Sequence, residues 1–334
     1  AGTTREVEPE NVALAGGIRH WQKGELVGSG SFGKVYSALD LETGRQLAVK
    51  QVRLGEMAGS ANGEKQVAAL EREVQLLRGL DHPNIVKYLG TQRTDKKLFI
   101  FLEFASGGSV RSTLSRFGPF SEAVIRRYVR HTLSGLAFLH EHGIIHRDIK
   151  ASNLLVDHGV VKLADFGCSK KIMDGDGEGE MGVSGDFHTA AGTAQFMAPE
   201  VMREGVPYGR TADVWSLGIT VIEMATGKPP WAHPAQAVYK ICMTEETPPL
   251  PEGLSKEAQH FLSQCLIRDP DQRPSAADLL THPFLVAPVP RGGDGGNDDM
   301  FVSRRPGTTR ALSRQGGLQE DDDDTGSWGA KAFG

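Results

Sequence analysis

Cysteine is scarce in this chain: Cys168, Cys242 and Cys265 are the whole set, and no two form a CxxC pair. That excludes a disulfide scaffold and fits a reduced compartment, the cytoplasm or the nucleus. Long apolar runs are also missing. The run "LFIFL" at 98–102 is strand-sized against the ~20 residues of a membrane span, so no membrane insertion is expected. Positive charge has no surplus, with 37 Lys and Arg against 42 Asp and Glu. A net charge of −5 leaves no electrostatic footprint for nucleic acid or an anionic membrane. The eleven histidines are scattered, without HExxH or a Cys/His cluster of zinc spacing, which argues against a metal held by protein ligands alone. The opening "AGTTREVEPE" lacks the apolar stretch of a signal peptide and an initiator Met, so a fragment or a trimmed product is expected.

What remains is an ordinary globular composition, 39% hydrophobic and 24% charged, enough for one large domain with extensions. Residues 1–20 show no sustained periodicity and read as an N-terminal extension. From Trp21 to Phe104 short β-like runs dominate: 34–40, 45–54, 85–91 and 97–104. One helix interrupts them at 64–80, with Val67, Leu70, Val74 and Leu77 at helical spacing. Beyond "ASGGS" at 105–109 the pattern turns helical. The stretch 122–142 is amphipathic, 211–227 is apolar nearly all round and should be buried on every side, and helical stretches follow at 255–269 and 275–285. The expected fold class is α+β and bilobal, a small strand-rich lobe (21–104) with one helix before a larger, mainly helical lobe (105–286), with a cleft between them. The Gly- and acid-rich stretch 174–186 should be a mobile loop. The tail 287–334, rich in Gly, Arg and Asp and carrying "EDDDD" at 320–324, should be disordered.

"GSGSFGKV" (28–35) places Gly28, Gly30 and Gly33 at GxGxxG spacing. Alone this is weak, because a dinucleotide-binding turn and an ordinary flexible hairpin share it. A Rossmann turn must open into a helix, however, and here "KVYSALD" continues as a strand. No GxxxxGK[ST] is present either. A glycine-rich hairpin between strands can fold over phosphates and offer backbone N–H groups. Lys50, in "LAVKQV", alternates with Ala48 and Val52 and so faces a side that should be buried. A buried ammonium needs an anion: a nucleotide phosphate is one candidate and Glu73 the other. Glu73 sits inside the apolar stripe of the 64–80 helix, which predicts a Lys50–Glu73 ion pair.

"GIIHRDIKASNLLVD" (143–157) then sets His146, Arg147, Asp148, Lys150 and Asn153 between apolar flanks, where an unpaired charge would cost several kcal/mol. "DFG" follows at 165–167, after a strand pair. Asp148 and Asp165 are expected to meet in one cleft. Asp165 and Asn153 would hold Mg²⁺ against nucleotide phosphates, Asp148 would accept the proton of an incoming hydroxyl, and Lys150 would neutralise charge on the transferring phosphoryl group. His146 reads as a packed, hydrogen-bonded scaffold residue.

With the glycine loop, Lys50, Glu73, "HRDIKASN", "DFG", "APE" (198–200), "DVWSLG" (213–218) and Arg273 in order, the chain resembles the eukaryotic protein kinases from about Trp21 to Leu285. That resemblance implies the bilobal kinase fold, ATP and Mg²⁺ as cofactors and a protein substrate. It places nucleotide contacts on Val27, Gly28, Ser29, Gly30, Ser31, Phe32, Gly33, Val35, Ala48, Lys50, Glu73, Leu102, Glu103, Ala105, Leu155 and Asp165. Leu102 would be the gatekeeper and 103–105 the hinge. It also implies that Asp213 caps the backbone of the "HRD" loop and that Glu200 pairs with Arg273. Lys150 and Thr193 resemble the serine/threonine kinases. "HPNIVKYLGT", "LEFASGGSV", "FGPFSEAVIRRY" and "KLADFGCSKKI" resemble MAP kinase kinase kinases, particularly of the plant and algal type, whose substrates are MAP kinase kinases. One departure is "GTAQFM" (192–197), where the family usually carries Gly-Thr-Pro-Tyr-Trp-Met; it falls where the substrate residue after the acceptor docks.

Arg147 is a candidate partner for a phosphate at Thr189 or Ser184, and replacing both by alanine should depress turnover. Cys168 reads as a small packed residue. The competing reading is a pseudokinase or scaffold that binds nucleotide and partners without catalysis; intact Lys50, Asp148, Asn153 and Asp165 count against it.

Overall fold

Strand signals in the first lobe become one antiparallel sheet. In the computed structural model, which describes residues 18–30, 33–54, 74–94, 96–171, 194–202, 208–231 and 233–286, β1 (Trp21–Gly30), β2 (Gly33–Asp40), β3 (Gln46–Arg53), β4 (Tyr88–Arg93) and β5 (Lys97–Glu103) pair in the order β1-β2-β3-β5-β4. The alternation in β3 sorts the two faces. Leu47 and Val49 pack with Ala38, Phe99 and Phe101 on one side, closed by Trp21, whose ring lies 5.3 Å and 5.4 Å from those of Phe99 and Phe101. Val52, Val74 and Ile100 cluster on the other side, which also carries Ala48 and Lys50. Register fixes this second face further, with Val35 opposite Lys50, Lys50 opposite Ile100, and Ala48 opposite Leu102.

β1 was not among the strand-like runs. Gly24, Gly28 and Gly30 dilute its β-propensity, and two register shifts against β2 break its alternation, so pairing rather than composition makes it a strand. The run at 85–91 enters the sheet only at Tyr88, the chain before it being tied to the second lobe by the Val86 N–H on Leu163 O. Of the expected helix at 64–80, residues 74–78 are described and are helical, with Val74, Leu77 and Leu80 buried around them.

The second lobe is built on α2 (Glu122–Glu141) and α3 (Thr211–Thr226). α3 has every residue from Ala212 to Met224 buried, as its all-round apolar pattern requires. Two helices carry patterns too short or too mixed to read. α1 (Val110–Phe117) starts at Ser109, whose Oγ accepts the Ser112 N–H, so the "ASGGS" break is partly a helix cap. α4 (Pro234–Met243) follows with proline in its first turn. α5 (Lys256–Cys265) matches the helix expected at 255–269. The stretch 275–285 divides into α6 (Ala276–Leu279) and α7 (Pro283–Val286), because Pro283 lacks the N–H that would continue the first. Among the described residues no helix is long and apolar enough to cross a membrane.

Close packing sets α3 in place. A Cβ on Gly218 would meet Cys265 Cβ and Leu266 Cδ2, each at 2.9 Å. Gly218→Ala should therefore destabilise the chain by at least about 1 kcal/mol despite alanine's better helix propensity. A urea titration measures this, and an unchanged or raised midpoint would contradict the close approach.

Candidate active site

The loop between β6 (Ile144–Ile145) and β7 (Leu154–Asp157) is polar chain in an apolar setting, and its backbone is held from below. Asp213, in the first turn of the buried α3, accepts the N–H of His146 on Oδ2 at 2.9 Å and that of Arg147 on Oδ1 at 2.8 Å. His140 Nε2 of α2 lies 2.9 Å from the same Oδ2. Burial pushes the Asp213 carboxyl up, but its bonds with His140 and the His146 backbone outweigh that, and its pKa lies below the usual carboxylate range. The capping implied for Asp213 is thus present in the geometry. It fixes Arg147 at φ 67°, a backbone region costly for a residue with a Cβ. His146 is fully buried: its Nδ1 faces the Asp148 N–H at 3.3 Å and its Nε2 the Ala164 carbonyl at 3.1 Å.

Above that backbone three side chains interlock. Asn153 Nδ2 donates to the Asp148 carbonyl at 2.8 Å and to Asp148 Oδ2 at 2.7 Å. Lys150 Nζ lies 2.9 Å from the same Oδ2. Asp148 Oδ1 is buried with no hydrogen-bond partner. The hairpin of β7 and β8 (Val160–Leu163) turns through His158 and Gly159, both at positive φ, and brings Asp165 back to this loop. Asp165 is also left-handed (φ 62°). Its Oδ1 lies 3.4 Å from Lys50 Nζ, across from the first lobe, while Phe166 beside it is buried with its ring 5.0 Å from that of His146. Burial raises the Asp165 pKa, but the Lys50 charge and His146 lower it further, so the group stays ionised below the usual range.

Lys50, 6% exposed, has the buried setting its alternation predicts, and its described anion is Asp165, 115 positions away. Glu73, the expected partner, lies outside the described residues, as do Ser31, Phe32, Ser184, Thr189 and Thr193, the acidic stretch 174–186 and the tail from 287. On the sheet face around Lys50, Gly28 is opposite Val35 and Ala48 opposite Leu102, with Ser29 and the half-exposed Val27 on the adjoining β1. Gly33 is required where it stands, since a Cβ there would meet Gln51 O at 2.3 Å. Leu155 bridges to Ser109, and Ala105 is buried. Glu103 uses its side chain elsewhere, with Lys162 at 3.1 Å, and gives its N–H to Lys87 O. The Arg147 guanidinium lies 4.7 Å from the Tyr208 ring, and its Nε is buried without a hydrogen-bond partner. Glu200 and Arg273 form the implied pair, at 2.7 Å and 3.0 Å.

One expectation is corrected. Cys168 is exposed at the end of a tight turn (Phe166–Cys168), because Phe166 takes the buried position of that turn. Three neighbours of this loop escaped the sequence reading: His140, and Glu223 with its partner Arg111. The signal for Glu223 was an acid beyond the first turn of a helix apolar nearly all round, which marks a buried carboxylate in need of a cation.

Comparison with known proteins agrees with this geometry. The family described as protein kinase domain matches residues 21–285. The chain is 48% identical over 273 residues to mitogen-activated protein kinase kinase kinase 3 of Arabidopsis thaliana, covering 80% of this chain and 41% of that protein. It is 43% identical over 270 residues to mitogen-activated protein kinase kinase kinase A of Dictyostelium discoideum (80% and 28%). It is 44% identical over 274 residues to mitogen-activated protein kinase kinase kinase 3 of Homo sapiens (79% and 42%). The chain thus spans about two-fifths or less of the length of these relatives. A match that runs through both lobes shows that the chain belongs to the protein kinase domain family.

Proposed function

We propose that this chain is a serine/threonine protein kinase of the mitogen-activated protein kinase kinase kinase type, dependent on ATP and Mg²⁺, whose substrates are MAP kinase kinases. The observation that carries the reading is the divided carboxylate of Asp148, with Oδ2 held by Asn153 and Lys150 and Oδ1 buried without a partner. Leaving a buried acceptor unpaired costs about 1–3 kcal/mol. That cost makes sense where a hydroxyl is to be received. Asp148 is the residue that takes the hydroxyl proton as the acceptor oxygen bonds to phosphorus and the bond to the departing nucleotide breaks.

The donor set suits the cofactors. Asn153 spends its amide protons on Asp148 and keeps its Oδ1, which takes only a long bond of 3.4 Å from Ser152 Oγ, as an oxygen donor, and the ionised Asp165 adds carboxylate oxygen, the hard donors that Mg²⁺ prefers. ATP supplies the phosphoryl group, and Mg²⁺ offsets charge on its phosphates. Lys50, steadied by Asp165, anchors phosphate beneath the glycine loop, and Lys150 offsets charge at the transfer point. Serine/threonine preference is supported by Lys150 in its "HRDIKASN" context, and the kinase kinase kinase type by the names of the relatives. The unpartnered Nε of Arg147 supports its reading as the receiver of a phosphate on the segment carrying Ser184 and Thr189, which orders that segment. The compartment that fits is the cytoplasm or the nucleus.

The test is to incubate the chain with ATP, Mg²⁺ and a panel of MAP kinase kinases and map the phosphorylated residues by mass spectrometry. Phosphoserine or phosphothreonine on at least one panel member is expected. Modification of tyrosine alone, or of none, would overturn the reading.

A further inference from the structure

Glu223 is 3% exposed in α3, and its two oxygens differ. Oε1 takes Arg111 Nη1 at 2.5 Å, while Oε2 is buried with no hydrogen-bond partner. Burial pushes its pKa up and keeps it raised, although the Arg111 charge and hydrogen bond pull against it. Arg111 comes from α1 and is 48% exposed, so it closes this acidic socket from the solvent side. Its backbone N–H donates to Ala151 O at 2.9 Å, which sets the pair against the "HRD" loop one residue past Lys150. An ion pair with one partner buried and the other half exposed gains little over an apolar pair of equal volume, so stability alone does not account for a carboxylate here. A boundary open to an incoming side chain does.

We propose that Arg111 is a specificity-determining residue: by occupying Glu223 it denies a partner to basic side chains near the phosphoacceptor, so substrates with neutral or acidic flanks are preferred. This rests on the reading of the chain as a protein kinase. Ala151 follows Asp148 by three residues and so lies within about 11 Å of it. A substrate residue three positions from a hydroxyl seated at Asp148 spans about the same distance, ~10 Å in extended chain. A lysine or arginine at that reach meets the Arg111 charge instead of the Glu223 carboxylate, and rejection by like charge is a common source of selectivity.

The test compares kcat/KM for a peptide with arginine walked through each flanking position against its all-alanine counterpart, using the full chain. For the wild type the arginine-to-alanine ratio should be one or below at every position. Arg111→Met opens the socket and should raise the ratio by at least about tenfold at one flanking position, as a new charge-assisted bond allows. Glu223→Gln in that background should return it towards one. The ratio is independent of how much protein is folded, so a purely structural role would not move it. Arg111→Gln, which keeps a donor for Oε1, reads the same quantity should the Met variant fold poorly. Phosphorylation with an unaltered ratio in both Arg111 variants overturns this inference alone. No transfer by the wild type to any peptide or protein overturns the kinase reading and this inference with it.

Discussion

Asp213→Asn should unfold at a temperature lower by roughly 10 °C and lose at least about 100-fold in turnover, though no atom of Asp213 is assigned to substrate. An asparagine keeps the shape but turns an NH₂ group towards donors: the N–H groups of His146 and Arg147 and the His140 imidazole. Disrupting a buried, charge-assisted network of this kind costs about 3–5 kcal/mol. The loss of turnover follows from Arg147, whose left-handed backbone persists because Asp213 holds its N–H. Released, it shifts Asp148, its neighbour in the chain. The pH dependence has a definite sign. The folded carboxyl of Asp213 lies below the usual range, so its stabilisation is complete above the unfolded value near ~3.9 and fades as pH falls through the folded one. Urea titrations should show the wild type losing its advantage over the variant in acid. An equal gap at neutral and strongly acidic pH would contradict the assignment.

The second large effect concerns Glu200 and Arg273, 4% and 0% exposed in their side chains. Arg273 also donates to the carbonyls of Ile267 and Thr211 at 2.8 Å and 2.9 Å and stacks 5.3 Å from the Trp215 ring. Arg273→Met leaves the Glu200 carboxylate buried without its cation and should cost about 3–5 kcal/mol. Adding Glu200→Met removes the orphan, so the double variant should be more stable than the sum of the single losses by up to about 3 kcal/mol. Chemical denaturation of the four proteins gives the coupling. Additive losses would mean that the two side chains do not depend on one another.

How much of this was legible follows from where each signal lives. Period-two alternation placed Lys50 on an inner face, because neighbours in a strand determine which side a residue takes. It could not identify Asp165 as an anion beside it, since 115 residues separate the two and a tertiary approach leaves no periodic trace. The α3 helix was plain because its pattern is apolar on all sides. β1 and α1 were not, the first diluted by glycine and the second only eight residues long. Motif order brought Asp148, Asn153 and Asp165 together, whereas the positive φ of Arg147 and Asp165 is a backbone property no side-chain pattern carries. Glu223 was visible only as an acid out of place in an apolar helix; the arginine that covers it lies 112 residues earlier.

The most direct trial is phosphate transfer from ATP·Mg²⁺ by the wild type and by Asp148→Asn, with nucleotide binding followed in parallel. An asparagine side chain at this position cannot take up the hydroxyl proton, so transfer should fall by about 10²–10⁴-fold while nucleotide affinity stays near wild type. Undiminished transfer by the Asp148→Asn variant would contradict the account at its centre.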